Sequence, residues 1–201
     1  AENLMVSEIM YHPSEPTTVE IAAGYDDQDL FEFIEFVNIS DTAIDMSGVS
    51  FGAGVNFTFP AGLQLEAGAH VIVVSNAAAF RIRYGAGLND FIAGQFQNGT
   101  NLANSGERIL ILGVDGNPIR EFTYDNAAPW PLAAAGQGSS LVLIDPDTVP
   151  DHSDPGSWMA GLPGGTPGAG EIARQSFGDW AAANGVGDPN GDDDFDNLEN
   201  F

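Results

Sequence analysis

Apolar residues along this chain come in short runs separated by turn residues, a pattern that suits strands far more often than helices. Met5–Met10 is the first run, closed by His12-Pro13. A polar, acidic insertion, Ser14–Asp29, follows and contains Tyr25-Asp26-Asp27-Gln28-Asp29. Leu30–Ile39 is dense in Phe, Ile and Val, the composition of a buried strand. Ser40-Asp41 marks a turn. Ile44–Phe51 predicts a short strand broken at Gly48, and Phe57–Pro60 and the residues around Leu65 predict two more. His70–Ser75 is apolar on both faces, as in a central strand. Residues 77–90 have helix-forming composition and are interrupted by Gly85. Glu107–Val114 and Pro118–Tyr124 predict a hairpin turning through Asp115-Gly116, and Ser139–Ile144 a last strand ended by Asp145-Pro146.

Many short strands, regular turns and little helix predict an all-β chain folded as a β-sandwich over residues 1–162. The texture then changes. Pro163–Gly170 is nearly all Pro and Gly, which predicts a linker over 163–175. Residues 176–201 predict a small helix-loop motif, with a short helix ended at Gly185 and an acidic loop after it. No apolar run approaches membrane-spanning length, so no membrane insertion is expected. The amino terminus, Ala-Glu-Asn-Leu, has neither Met nor a signal pattern and reads as that of a mature or trimmed chain.

Composition narrows the partners. The 201 residues hold 29 Asp and Glu against 5 Arg and no Lys, a formal net charge of -24. Such a surface repels phosphate backbones and anionic lipid, which excludes nucleic acid as a partner. The charge keeps the chain soluble and attracts divalent cations. Cysteine is absent, so disulfides, thiol catalysis and Cys-ligated metals are excluded together.

The acidic loop has the spacing of a calcium site. Calcium takes six to eight oxygens, and a twelve-residue loop ending in a bidentate Glu supplies them. Asp188, Asn190 and Asp192 would ligate through side chains and Asp194 through its carbonyl. Asp196 would act directly or through water, and Glu199 would close the loop bidentately. Phe195 falls where an apolar residue packs. The sixth position is Asp193 rather than the Gly that eases the sharp turn, a departure that Asp tolerates better than most residues. Asp26, Asp27 and Asp29 are candidates for a second calcium site.

Val6–Pro13, Glu32–Asn38 and Ile44–Gly48 together resemble a lamin-tail domain of the bacterial type. Phe57–Pro60, Leu65–Val74, Ser105–Leu112, Asp115-Gly116, Trp130-Pro131, Gly138–Leu141, Ser157-Trp158 and Gly165–Gly168 extend the resemblance in order. It implies an immunoglobulin-like β-sandwich, a non-catalytic module of large secreted or surface bacterial proteins. The acidic loop is similar to thrombospondin type 3 or dockerin-like calcium repeats. The chromatin association of nuclear members does not transfer to a chain of this charge.

Catalytic chemistry finds little support. The imidazoles His12, His70 and His152 form no zinc pattern, and no nucleophile elbow is present. Ser139 and Ser140 open a strand, where hydrogen bonding explains them. Glu32 and Glu35, three apart, point to opposite faces of a strand and are expected to serve as hydrogen-bonding residues. Trp130 and Trp158 are expected to plug the core, which leaves Tyr25 and Tyr84 as the aromatic ligand candidates. The expectation is a non-catalytic binding or adhesion module, extracellular or at the bacterial cell surface. Its partners would be a protein or polysaccharide ligand and the neighbouring domains of a longer parent chain. A carbohydrate-binding module attached to a secreted hydrolase is the alternative.

Overall fold

The computed structural model describes residues 3–168. The strands are β1 (Leu4–Met10), β2 (Phe33–Asn38), β3 (Ile44–Asp45), β4 (Ser50–Ala53), β5 (Gln64–Leu65) and β6 (His70–Val74). They continue with β7 (Ile92–Gln95), β8 (Arg108–Leu112), β9 (Pro118–Thr123), β10 (Ser139–Leu143) and β11 (Trp158–Pro163). Helices α1 (Thr18–Ala22) and α2 (Ala77–Tyr84) interrupt them. A six-stranded sheet has the order β11-β10-β1-β2-β6-β7, a three-stranded sheet β4-β8-β9, and β3 pairs with β5. β6 and β7 run parallel, and α2 with the 3-10 turn Ala86–Phe91 supplies the crossover that parallel pairing requires.

The six-stranded sheet is covered on both faces. Its inner face sends Val6 and Ile9 of β1, Ile34 and Phe36 of β2, and Val71 and Val73 of β6 into the main core. Ile109, Ile111 and Phe122 of the smaller sheet belong to the same core. Phe36 meets Phe51 and Phe59 edge-on at ring separations of 5.9 and 5.5 Å, a geometry that the aromatic quadrupole favours. On the outer face, Met10, Phe33, Ile72 and Val74 pack against Phe80 of α2. Covering both faces is why residues 70–75 read as continuously apolar rather than alternating.

The described chain therefore is the all-β sandwich that the strand pattern predicts, with local differences. The acidic insertion contains α1, started by a capping box in which Thr17 and Glu20 satisfy each other's backbone N–H. Ile44–Phe51 divides into β3 and β4, which belong to different sheets, around a turn where Gly48 has φ +74°. Phe57–Pro60 contributes the single bridge Ser50–Thr58 rather than a strand. β7 and β11 escape the pattern. β7 contains Gly94, where a Cβ would stand 2.6 Å from the Phe57 ring, and β11 contains Gly161 and ends in Pro163. Composition marks residues from 163 onward as linker, but Gly164 donates to the Gly138 carbonyl at 2.7 Å and the chain stays against the sheet through Gly168.

Candidate functional site

Carboxylates in apolar strands are the most costly groups in this fold, and two of them sit side by side. Glu8 of β1 and Glu35 of β2 are direct cross-strand partners and are 2% and 1% exposed. Burying a carboxylate is tolerated only where donors replace water. Ser140 of β10 donates its hydroxyl to Glu8 Oε1, and the Thr166 N–H donates to the same oxygen at 2.8 Å. Thr166 Oγ1 lies 3.3 Å from Glu8 Oε2. Glu35 Oε1 accepts from Ser7 Oγ at 2.7 Å and faces His70 Nδ1 at 2.9 Å, while Oε2 accepts from the Gly168 N–H at 2.6 Å. A β-bulge between Val6 and Glu8 is what brings both Ser7 and Glu8 up to Glu35.

Residues 164–168 thus form a strap across the outer face, buckled onto both carboxylates. Gly165 makes the close approach possible: it has φ +77°, and a Cβ there would stand 2.6 Å from Glu8 Oε1. Burial pushes the Glu8 carboxyl up to about 7, with the Glu35 charge adding to the rise and the Ser140 and Thr166 hydrogen bonds opposing it. All four carboxylate oxygens are engaged by protein donors, so the pair presents no oxygen to a substrate.

A further buried carboxylate, Glu32, precedes β2 and is 0% exposed. Its Oε2 accepts from the Leu102 N–H at 2.8 Å, and Oε1 has no protein partner. Burial, with the charges of Asp29, Glu107 and Asp27 added, pushes it up to about 9. The neighbouring Ala103 N–H is held by Glu107, to which Tyr124 also reaches. These two glutamates fix the 102–107 turn against the core.

Among the described residues, His152, Trp130, Trp158 and Tyr84 serve the packing. His152 is 4% exposed and its Nε2 accepts from the Val6 N–H at 3.3 Å beside the bulge. Burial, reinforced by the Arg120 charge, lowers it to about 4, so the ring is neutral. It is a buried acceptor of a backbone hydrogen bond. Trp130 and Trp158 are buried at 7% and 3%, as expected, with Trp158 Nε1 donating to the His152 carbonyl. Tyr84 does not offer a free face: its ring meets Phe33 at 5.8 Å and Phe80 at 4.5 Å. Asp27 caps the turn at Asp29, and Asp29 accepts from Asn101. Among the described residues no three acidic or imidazole groups gather to hold a metal ion. Asp188, Asn190, Asp192, Asp194, Asp196 and Glu199 lie outside the described residues.

The family model of the lamin tail domain matches residues 1–126. The chain belongs to the lamin tail domain family. A comparison with curated proteins found no match at a significant level. In this lamin tail domain the matched segment ends before β10 and β11, yet β1, inside it, pairs with β10 at Glu8–Val142 and Ile9–Leu141. The folded unit therefore includes residues beyond the match.

Strand spacing puts Glu32 and Glu35 on different sides and assigns both to hydrogen bonding, which is where the lamin tail domain has them. Glu8 escapes that reasoning. Its signal is present in the run Val6-Ser7-Glu8-Ile9-Met10, where one carboxylate interrupts an apolar strand. The strap escapes it too, because Pro and Gly predict freedom, whereas here glycine lets the backbone pass close over the carboxylates.

Proposed function

We propose that this lamin tail domain is a non-catalytic binding or adhesion module of a larger extracellular protein. The observation that carries the reading is the use of its polar side chains. Glu8, Glu35, Glu32, His152 and Ser140 are all buried and engaged in holding strands, turns and the strap together. An immunoglobulin-like sandwich stabilised in this way presents surfaces rather than reacting groups. The acidic composition and the spacing of Asp188 to Glu199 support a calcium-loaded C-terminal loop, which would stiffen the junction to a neighbouring domain and be stabilised by mass action. Calorimetric titration of the full chain with calcium tests that part: Glu199→Ala removes the loop's binding heat, and undiminished heat contradicts the assignment.

Carbohydrate binding is the second reading: Ser14, Thr17 and Gln137 on a groove beside α1 offer polar groups to a sugar, though no aromatic ring among the described residues lines it. A glycan array probed once with calcium and once with chelator separates the two. The adhesion reading predicts silence in both arms, and retention of a defined sugar class establishes the carbohydrate module instead.

A further inference from the structure

α1 is turned inside out. Its central Glu20 is 3% exposed, while Val19 and Ile21 on either side are 69% and 50% exposed. An amphipathic helix ordinarily does the reverse. The inversion is held by the Arg83 guanidinium of α2, whose Nε and Nη2 donate to the two Glu20 oxygens at 2.8 and 3.0 Å. This pair draws Glu20 well down, to about 2. Arg83 is fixed in turn on the Phe31 ring, 3.5 Å from its centroid.

Beside the inverted helix lies the groove, of about 440 Å³. Val19, Ile82 and Pro163 give it apolar walls, and Gly138 and Gly164 contribute bare backbone. A Cβ built on Gly164 would meet nothing within 4 Å, so a ligand chain could lie directly against the main chain there. Ile82 is 41% exposed, and Leu162, next to Pro163, is 54% exposed. Isolated exposed apolar side chains need no explanation, but their gathering around one concavity marks an interaction site.

We propose that this groove docks a segment of a partner protein that carries apolar side chains flanked by lysine or arginine. The inference deepens the adhesion reading and rests on it. Charge selects the occupant. Among the described residues, Arg83 is the one cation lining the groove and is paired with Glu20; Glu15 follows the lining residue Ser14 in sequence, and the chain as a whole carries -24. A second copy of the chain would bring an equal negative charge to the contact, and an acidic partner would be repelled at long range. A basic flank is attracted, while apolar side chains fill the space between Val19 and Ile82. Among the described residues, no aromatic side chain lines the groove to stack on a sugar ring.

The test is selection from a random peptide library displayed on phage, with the full-length chain as bait. Enriched peptides should combine apolar residues with Lys or Arg, and added salt should weaken them. Val19→Asp and Ile82→Asp should each raise their Kd about tenfold or more. Val114→Asp, at an exposed position off the groove, should leave it unchanged. All three positions are exposed, and circular dichroism verifies the fold of each variant. Enrichment of acidic or uncharged peptides overturns the proposal, as does binding that survives Val19→Asp and Ile82→Asp together. Surviving binding of that kind removes the groove and leaves the adhesion reading standing. No enrichment overturns the groove proposal, while the adhesion reading, which concerns any surface of the module, stands or falls on the glycan arrays.

Discussion

At the scale of single residues, two buried carboxyls, Glu8 and Glu32, favour their neutral forms. Glu8 and Glu32 are raised from 4.5 to about 7 and about 9, mainly by burial. The folded state then binds more protons than the unfolded chain, so stability falls as pH rises from the unfolded value through the folded one. A tenfold change in proton affinity is worth about 1.4 kcal/mol, so Glu8 alone accounts for about 3 kcal/mol between those limits. His152 acts in the other direction: lowered from 6.5 to about 4, it contributes stability above the unfolded value that is lost as pH falls toward about 4. The expected outcome is a Tm higher near about pH 6 than near about pH 9, with Glu32→Gln and Glu8→Gln each flattening the decline. A wild-type Tm that is level or rises over that interval contradicts the burial argument. A backbone position gives a second check. Gly106 has φ +97°, and a Cβ there would stand 2.5 Å from the Tyr124 carbonyl oxygen, a contact that no side-chain motion relieves. Gly106→Ala should cost at least about 2 kcal/mol in denaturant unfolding.

Single elements show where sequence and structure part. β1, β2, β6, β8, β9 and β10 were legible because their apolar runs reach strand length and end at turn residues. β7 and β11 were not, since Gly94 and Gly161 interrupt runs whose pairing is decided by contacts distant in sequence. α1 was not read from the sequence: its five residues lie in a polar insertion, and its apolar residues point the wrong way for a core helix. The candidate site divides in the same manner: hydrogen-bonding roles for Glu32, Glu35 and Ser140 follow from polar groups in apolar strands, but which groups meet depends on tertiary register. Two outcomes test the elements themselves. Arg83→Met leaves Glu20 buried without its partner and should destabilise the chain by about 3 kcal/mol, with Glu20→Met in the same chain recovering most of the loss. Gly165→Val places a branched side chain against Glu8 and should unbuckle the strap, seen as faster hydrogen exchange at the Thr166 and Gly168 amides. Unchanged exchange would mean that the carboxylates do not hold the strap.

For the described domain as a whole, residues distant in sequence close one sandwich. β10 and β11 complete the six-stranded sheet that β1 and β2 begin, and the strap returns to β1 and β2 on the outer face. A chain ended at residue 126, where the family match stops, would expose the β1 edge and the Glu8 and Glu35 carboxyls. It should show no cooperative thermal transition, whereas a chain ended at residue 168 should melt cooperatively. On the proposed function, the buried network and the high acidity belong to a scaffold that works through its surface. The most direct measurement of that claim is to incubate the full chain with a mixed panel of polysaccharides and cationic apolar peptides, then recover bound and unbound material for mass spectrometry. The account predicts peptides retained on the wild-type chain, released by Val19→Asp, and recovered with unchanged mass. Cleaved or otherwise altered panel members that depend on the chain would contradict it.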